Sequence, residues 1–287
     1  MLDEKLIALI TEEVVRQLTA SGRVVLPERL LQPEAEEVRP AGNPVGNDRL
    51  LEDPLDPEAL ERMKKRTTAR IGVGKAGARL KTQTLLALRA DHARAQDSVF
   101  ADVDPAFIEK LGLLSIESQA GDRNTHITRP DLGRKICPKG VEALRQHCEM
   151  SPDVQIYASD GLSSAAIEAN LEKILPVLTE GLQAKCLKVG TPFYMRFGRV
   201  AAEDQVAEVL GAKVVCVLIG ERPGLATAES MSAYIVYNAY VGIPEAKRTV
   251  VSNIHKDGLT AVEAGAYITE VIQQILDRKA SGVDLVK

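Results

Sequence analysis

The side chains able to do chemistry in this 287-residue chain fall in a few short loops. Gly72-Val73-Gly74-Lys75-Ala76-Gly77 fits G-x-G-x-x-G, which lets a pyrophosphate meet backbone N–H groups where the glycines close a strand and open a helix. No strand-like segment precedes this run. Asp91 and Asp97 fall inside the following helical stretch, not at the end of a next strand, and Ala78 and Arg79 stand where a P-loop requires Lys and Ser or Thr. The run reads as a close-packing turn or subunit contact. Asp160, in the stretch Ser159-Asp160-Gly161-Leu162-Ser163-Ser164, reads equally as a catalytic carboxylate or as ordinary turn and cap chemistry. His92 sits on a polar helical stretch, as a surface hydrogen-bonding residue does. The remaining candidates cluster in loops: Tyr194, Arg196 and Arg199, then Glu221 and Arg222, then Ser252, Asn253 and His255. Together they suit a large polar ligand held by many hydrogen bonds. No Ser-His-Asp elbow, paired carboxylates or metal-binding spacing stands out, so no catalytic residue and no metal ligand is assigned. The pattern is that of a binding half-site.

The elements that must position these loops are legible around residues 187 to 225. This stretch reads as strand, long loop, short helix, strand and Gly-containing loop. Lys213 to Ile219 is nearly all apolar and β-branched, as in a strand buried on both faces of a parallel sheet. Gly220-Glu221-Arg222-Pro223-Gly224 follows at its carboxyl end, where open parallel sheets bind ligands. Glu203 to Leu210 supplies a helical crossover, and Gly211 stands where a helix C-terminus favours positive φ. Val154 to Ala158 and Leu187 to Gly190 read as further strands, and Arg248 to Ile254 as a fourth. Ala165 to Leu182 reads as a helix that Pro176 kinks or ends. The last helix starts with the capping box Thr260 and Glu263, buries Val262, Ala266, Val271, Ile272 and Ile275, and ends at Gly282. The expected fold class is α/β: a Rossmann-like parallel sheet flanked by helices over residues 150 to 287, with a mostly helical region at 58 to 149. In that region Pro105 to Leu111 and Lys139 to Cys148 read as helices, and Leu113 to Ser118 as a strand. Leu2, Leu6, Leu9, Ile10, Val14 and Leu18 make one face of an amphipathic helix at 1 to 18. Residues 19 to 57 carry six of the fourteen prolines and read as a linker.

Totals exclude several classes. A formal charge of -4 gives no electrostatic reason to expect nucleic acid or an anionic membrane as partner. The N-terminal residues are interrupted by acids too often for a signal sequence, and no apolar run of about 18 residues occurs. Four scattered cysteines point to reduced thiols and a cytoplasmic setting without structural zinc.

Several motifs together resemble one family, the small subunit of ethanolamine ammonia-lyase. They are Thr68-Ala69-Arg70-Ile71-Gly72 with Ala76-Gly77, Ala90-Asp91-His92, Thr128-Arg129-Pro130-Asp131 and Ser159-Asp160-Gly161-Leu162-Ser163. Further along stand Lys188-Val189-Gly190-Thr191-Pro192-Phe193, Gly220-Glu221-Arg222-Pro223-Gly224-Leu225 and Ser252-Asn253-Ile254-His255. The resemblance implies adenosylcobalamin held between this chain and a large catalytic subunit, with ethanolamine converted to acetaldehyde and ammonia. It implies cobalamin contacts at Val200, Glu221 and Val251; at the last, relatives can carry Cys, so only a backbone or packing contact carries over. It also implies housing in a bacterial microcompartment, with residues 1 to 18 as the encapsulation peptide that meets shell or cargo proteins. From the residues alone, Val200 and Val251 read as core positions and Glu221 as a partner of Arg222 or another nearby base. Two other readings stand beside this one. A nucleotide-dependent enzyme built on Gly72 to Gly77 requires a strand just before Gly72, and a non-catalytic assembly protein predicts no cobalamin near the sheet edge.

Overall fold

A computed structural model describes residues 51 to 285, apart from 52 and 68. The amphipathic helix expected at 1 to 18 and most of the linker at 19 to 57 lie outside the described residues. The described chain is mixed α/β, with a six-stranded, mostly parallel sheet flanked by helices. Helix α1 (Pro57–Lys64) is followed by a hairpin of β1 (Lys75–Ala76) and β2 (Arg79–Leu80), and then by α2 (Thr82–Phe100) and α3 (Pro105–Lys110). Strand β3 (Leu114–Glu117) leads to α4 (Arg123–Thr128), α5 (Pro130–Gly133) and α6 (Pro138–His147). Next come β4 (Val154–Ser159), α7 (Ser164–Ala184), β5 (Phe193–Arg196) and α8 (Ala202–Leu210). The chain finishes with β6 (Val214–Gly220), β7 (Met231–Tyr237), β8 (Thr249–Ile254) and α9 (Ala261–Arg278). The sheet order is β3-β5-β4-β6-β7-β8. The first three pairings are parallel and the two that involve β7 are antiparallel.

Burial explains the two central strands. Every residue of β4 and β6 is buried, because helices cover both faces. Alternate side chains of β6 go to opposite cores, as a period of two demands. Val214, Cys216 and Leu218 pack with Ile167, Leu171 and Ile174 of α7 and with Ile268 and Ile272 of α9. Val215, Val217 and Ile219 pack with Val206 and Leu210 of α8 and Leu144 of α6. The Tyr157 and Phe193 rings stack at 5.0 Å in that second core.

Several expectations hold and others are corrected. Gly211 caps α8 with φ 67, and Thr260 and Glu263 form the capping box of α9. Leu187 to Gly190 does not form a strand beyond the single Val154–Val189 bridge. The strand forms instead at Phe193–Arg196, past Pro192, where Phe193, Tyr194 and Met195 gain complete or near-complete burial. Met231–Tyr237 is a strand the sequence reading passed over, and it runs against its neighbours. Pro176 neither ends nor replaces a turn of α7, which continues to Ala184. Ile174, Leu178 and Leu182, all at 0% exposure on either side of it, hold the helix on the sheet against the loss of one backbone hydrogen bond. In α9 the buried face is Ala261, Ala264, Ile268, Ile272 and Ile275; Val262 and Ala266 face outward, and Lys279, in the left-handed region, caps the helix before Gly282.

The run Gly72 to Gly77 leads into the β1–β2 hairpin, and Gly77 (φ +63) lies in its turn with open space around its Cα. Residues 69 to 74 hold no strand. The strand-to-helix geometry of a dinucleotide loop is therefore not formed there. His92 is exposed, in keeping with a surface position.

The start of β8 is fixed by a buried ion cluster. Arg248, 1% exposed at its side chain, donates from Nε to Glu203 at 3.0 Å and from Nη2 to Asp204, while Glu245 approaches Nη1 at 3.0 Å. Burial pushes both the Glu203 and Asp204 carboxyls upward, and the Arg248 charge pulls them back. Arg248→Ala should lower the unfolding free energy by about 3–5 kcal/mol, because it strands buried carboxylates. Glu245→Ala, which removes an exposed partner, should cost no more than about 1 kcal/mol. Urea titrations of both variants check the contrast, and equal effects would refute the assignment of the cluster as a buried tie.

Candidate functional site

Topology places a crevice at the carboxyl ends of β4 and β6. From β4 the chain passes through α7 to β5 on one side, then crosses back through α8 to β6 on the other. The loops after β4 and β6 therefore leave in opposite directions, which opens a gap between them. The gap is a crevice of ≈ 200 Å³. Gly161 and Leu162 line it from the β4 loop, Arg199 and Val200 from the β5 loop, Ile219, Gly220, Glu221 and Arg222 from β6, and Tyr234 from β7. Its floor is main chain: Leu162 N donates to Gly220 O at 3.1 Å. A Cβ on Gly161, which holds φ +52, would lie 2.4 Å from Gly220 O, and one on Gly220 would lie 2.2 Å from Ser163 O. Only glycine permits this approach.

Below the floor lies a buried charged layer. Asp160, 1% exposed, accepts from Arg123 Nη2 through Oδ2 and from Phe197 N through Oδ1, both at 2.7 Å. Arg123, on α4, also donates to Ala101 O at 3.0 Å and Asp102 Oδ1 at 2.9 Å, and lies 5.0 Å over the Phe197 ring. Desolvation raises Asp160 to about 6, against the pull of Arg123 and the Phe197 amide, so the carboxylate is ionised at neutral pH. Asp160 does not line the crevice. It ties α4, the β4 loop and the β5 loop together, a structural role within the turn.

His126, at 0% exposure, bridges the same loops, with Nδ1 2.8 Å from Phe197 O and Nε2 2.8 Å from Gly161 O. Two carbonyl partners favour a doubly protonated ring, whereas burial and the Arg199 and Arg123 charges favour a neutral one. The latter prevail and push the imidazole down to about 4. The neutral ring donates to one carbonyl and presents a lone pair to the other.

Glu221 is held by the neighbouring strands. Its carboxylate accepts from Ser230 Oγ at 2.9 Å, from Ser232 Oγ, and from Asn253 N at 3.2 Å. It does not ion-pair with Arg222 among the described residues; the two serines and the amide already orient it. Arg199 donates from Nη2 to His126 O at 2.7 Å. Val200 is half-buried on the crevice wall, whereas Val251, 7% exposed, packs in the core of the α7 and α9 face and is not among the lining residues.

Of the loop residues named from sequence, the crevice gathers Arg199, Val200, Glu221 and Arg222. Tyr194 is buried within β5, Arg196 pairs with Glu117 at 3.0 Å, and His255 Nδ1 accepts from Asp257 N at 3.3 Å. Ser252 is exposed, and Asn253 contributes its backbone amide. Arg123, His126 and Tyr234 went unnoticed in the sequence. Asp122, the N-cap of α4 that accepts from Thr125 N, is the local signal that a helix begins within that polar stretch.

Asp160 and His126 should shift stability with pH in opposite senses. A carboxyl raised from 3.8 to about 6 stabilises the fold below about pH 4 and loses that contribution as pH rises through 6. An imidazole lowered from 6.5 to about 4 contributes above 6.5 and loses it as pH falls through 4. Relative to the unsubstituted protein, Asp160→Asn should therefore gain stability between about pH 4 and 6, and His126→Asn should lose it. Denaturant titrations across this range measure both slopes, and slopes of the same sign would exclude these protonation states.

Comparison with known proteins agrees with the motifs around this crevice. The family model "Ethanolamine ammonia-lyase light chain (EutC)" matches residues 57–286. A protein of Clostridium perfringens is 49% identical over 294 residues, covering 99% of this chain and 100% of the relative. One of Clostridium tetani is 49% identical over 284 residues, 96% of each chain. One of Fusobacterium nucleatum subsp. nucleatum is 54% identical over 235 residues, 82% of this chain and 80% of its own. All three bear the name ethanolamine ammonia-lyase small subunit. On a match that spans the sheet, its helices and the crevice, the chain belongs to the ethanolamine ammonia-lyase light chain family.

Proposed function

We propose that this chain is the small subunit of an adenosylcobalamin-dependent ethanolamine ammonia-lyase, and that its crevice forms one wall of a cofactor site completed by the large subunit. The observation that carries the reading is an incomplete site at the ligand edge of the sheet. A space of ≈ 200 Å³ falls below the roughly 300–1,000 Å³ of self-sufficient small-molecule pockets, so a ligand as large as a corrinoid must find its other contacts elsewhere. Nothing lining the crevice forms a nucleophile–base pair, which suits a binding wall and leaves the reacting groups to the partner.

The residues present fit the group. Glu221 takes three donors, and a carboxylate has about four lone-pair sites, so one acceptor position remains for a corrin amide N–H. Val200 offers an apolar contact to the macrocycle, and the glycine floor admits a flat ligand without side chains in the way. Val251 contributes by packing behind β8, two residues before the Asn253 amide that holds Glu221. When bound, adenosylcobalamin supplies radical chemistry through its cobalt–carbon bond. The chain's own work is to orient the corrinoid rim, through Glu221 and Val200, and to keep water from that side. The substrate and the residues that handle protons belong, on this reading, to the large subunit.

The isolated chain should not deaminate ethanolamine, and activity should appear when the large subunit and adenosylcobalamin are added. In the assembled enzyme Glu221→Ala should weaken cobalamin binding by about 1–3 kcal/mol, since it removes an acceptor for amide groups that become buried on binding. Turnover by the chain alone, or unchanged cobalamin affinity in the variant, would count against the assignment.

The same reading places the enzyme in a bacterial microcompartment of the cytoplasm, with residues 1 to 18 as the address. Its support is the apolar face of Leu2, Leu6, Leu9, Ile10, Val14 and Leu18 beyond a Pro-rich stretch, upstream of the family match that starts at 57. A single helix of that length is marginal in water and gains by laying its face into a groove of a shell or cargo protein. Deletion of residues 1 to 18 should leave cobalamin binding and activity intact while lowering the fraction of enzyme recovered with purified compartments. Undiminished encapsulation, or unfolding of the truncated chain, would return that face to the fold's own packing.

A further inference from the structure

Resting on the reading that the crevice receives a corrinoid, we propose that Arg199 and Arg222 form an anion subsite within it that takes a phosphate group, the phosphodiester of the cofactor's nucleotide tail.

Both guanidinium side chains line the same crevice. Arg222 is exposed and, among the described residues, makes no hydrogen bond or ion pair. Arg199 spends Nη2 on the His126 carbonyl, and its Nε is buried without an acceptor. Neither forms an ion pair within the described chain. Burial, followed by the Arg222 charge, depresses the Arg199 guanidinium, and Arg134 adds to the effect, so the cations are close enough to repel. Asp160 opposes this from below, but its oxygens are already taken by Arg123 and the Phe197 amide.

The one acid of the crevice offsets at most one of these charges, and Glu221 forms no ion pair with either arginine, its oxygens being engaged by Ser230, Ser232 and the Asn253 amide. What remains is a concavity with an excess positive charge, two guanidinium groups against one carboxylate. Neutral amides of a corrin rim do not balance it. An anion with two free oxygens does, since each guanidinium can donate a charge-assisted hydrogen bond to it. The phosphodiester of a cobalamin has two such oxygens, and inorganic phosphate shares the chemistry.

The test titrates the full-length chain, assembled with its large subunit, with three probes: cobalamin, cobinamide, which lacks the nucleotide tail and its phosphate, and inorganic phosphate. Arg222→Gln is the principal variant because Arg222 has no partner whose loss would disturb the fold; Arg199→Lys keeps the charge while it removes the fork. Arg222→Gln should weaken cobalamin roughly ten-fold or more, leave cobinamide within about two-fold, and abolish the phosphate effect on bound-cobalamin spectra. Arg199→Lys should give a smaller loss of the same selectivity. Equal losses for cobalamin and cobinamide would overturn the subsite while leaving the cofactor reading standing, as would no loss for either. If the unsubstituted complex bound neither corrinoid yet bound phosphate through Arg222, the cofactor reading would fall and the anion site would stand, with free phosphate as its ligand.

Discussion

The buried bond between Asp160 and Arg123 is the constraint on which the crevice depends. It joins a helix of the N-terminal half to the loop after β4, and through the Phe197 amide it also fixes the loop after β5. A carboxylate at 1% exposure is tolerable only with such partners, since an unpaired buried charge costs several kcal/mol. The same economy recurs at Arg248, Glu203 and Asp204, which lock α8 to the start of β8. Two buried ion clusters thus set the positions of the strand ends, while the apolar cores on either face set the sheet itself. The sheet supplies rigidity, and the charged layer supplies register between loops that are otherwise unrelated in sequence.

On that platform the lining residues divide into fixed and open groups. Glu221 is fully oriented by β7 and β8, so its remaining acceptor capacity points in a defined direction. Arg199 is anchored at one nitrogen and leaves a buried Nε without an acceptor, and Arg222 is exposed. A wall with one directed acceptor and unspent donors recognises a ligand of mixed polarity better than a purely apolar slot would, because desolvated polar groups discriminate by whether they find partners.

Local pattern carried much of this into the sequence. The nearly all-apolar run from Lys213 to Ile219 announced the doubly covered strand found at Val214–Gly220, Gly211 announced a helix end, and Thr260 with Glu263 announced a helix start; each rests on physics confined to a few residues. Where tertiary context decided, pattern failed. Phe193–Arg196 became a strand because Phe193 found the Tyr157 ring and the segment found a place between β3 and β4, which no local preference records. Met231–Tyr237 was β-rich on its face, yet its reversed direction depends on pairing with both β6 and β8. Arg123 and His126 lay hidden for the same reason: their partners are 21 to 71 residues distant, so only the fold makes them part of the site. Glu221 and Val200 were reachable by resemblance, and the structure adds why Glu221 is held as it is.

The antiparallel direction of β7 has a mechanical consequence. A parallel successor to β6 would require a long crossover, usually a helix packed on a face of the sheet; β7 instead returns directly, and the intervening loop stands with both feet in the sheet. Glu221 N donates to Ser230 O at 3.0 Å, which clasps those feet together, and Gly224 N bonds to Thr227 O at 3.0 Å nearer the tip. At the tip Arg70 Nη2 donates to Leu225 O at 2.6 Å, and the same guanidinium pairs with the buried Asp91 at 2.6 Å. The loop is thus stayed at both ends, as a strut is, and the carboxylate it carries sits at the sheet-side anchor.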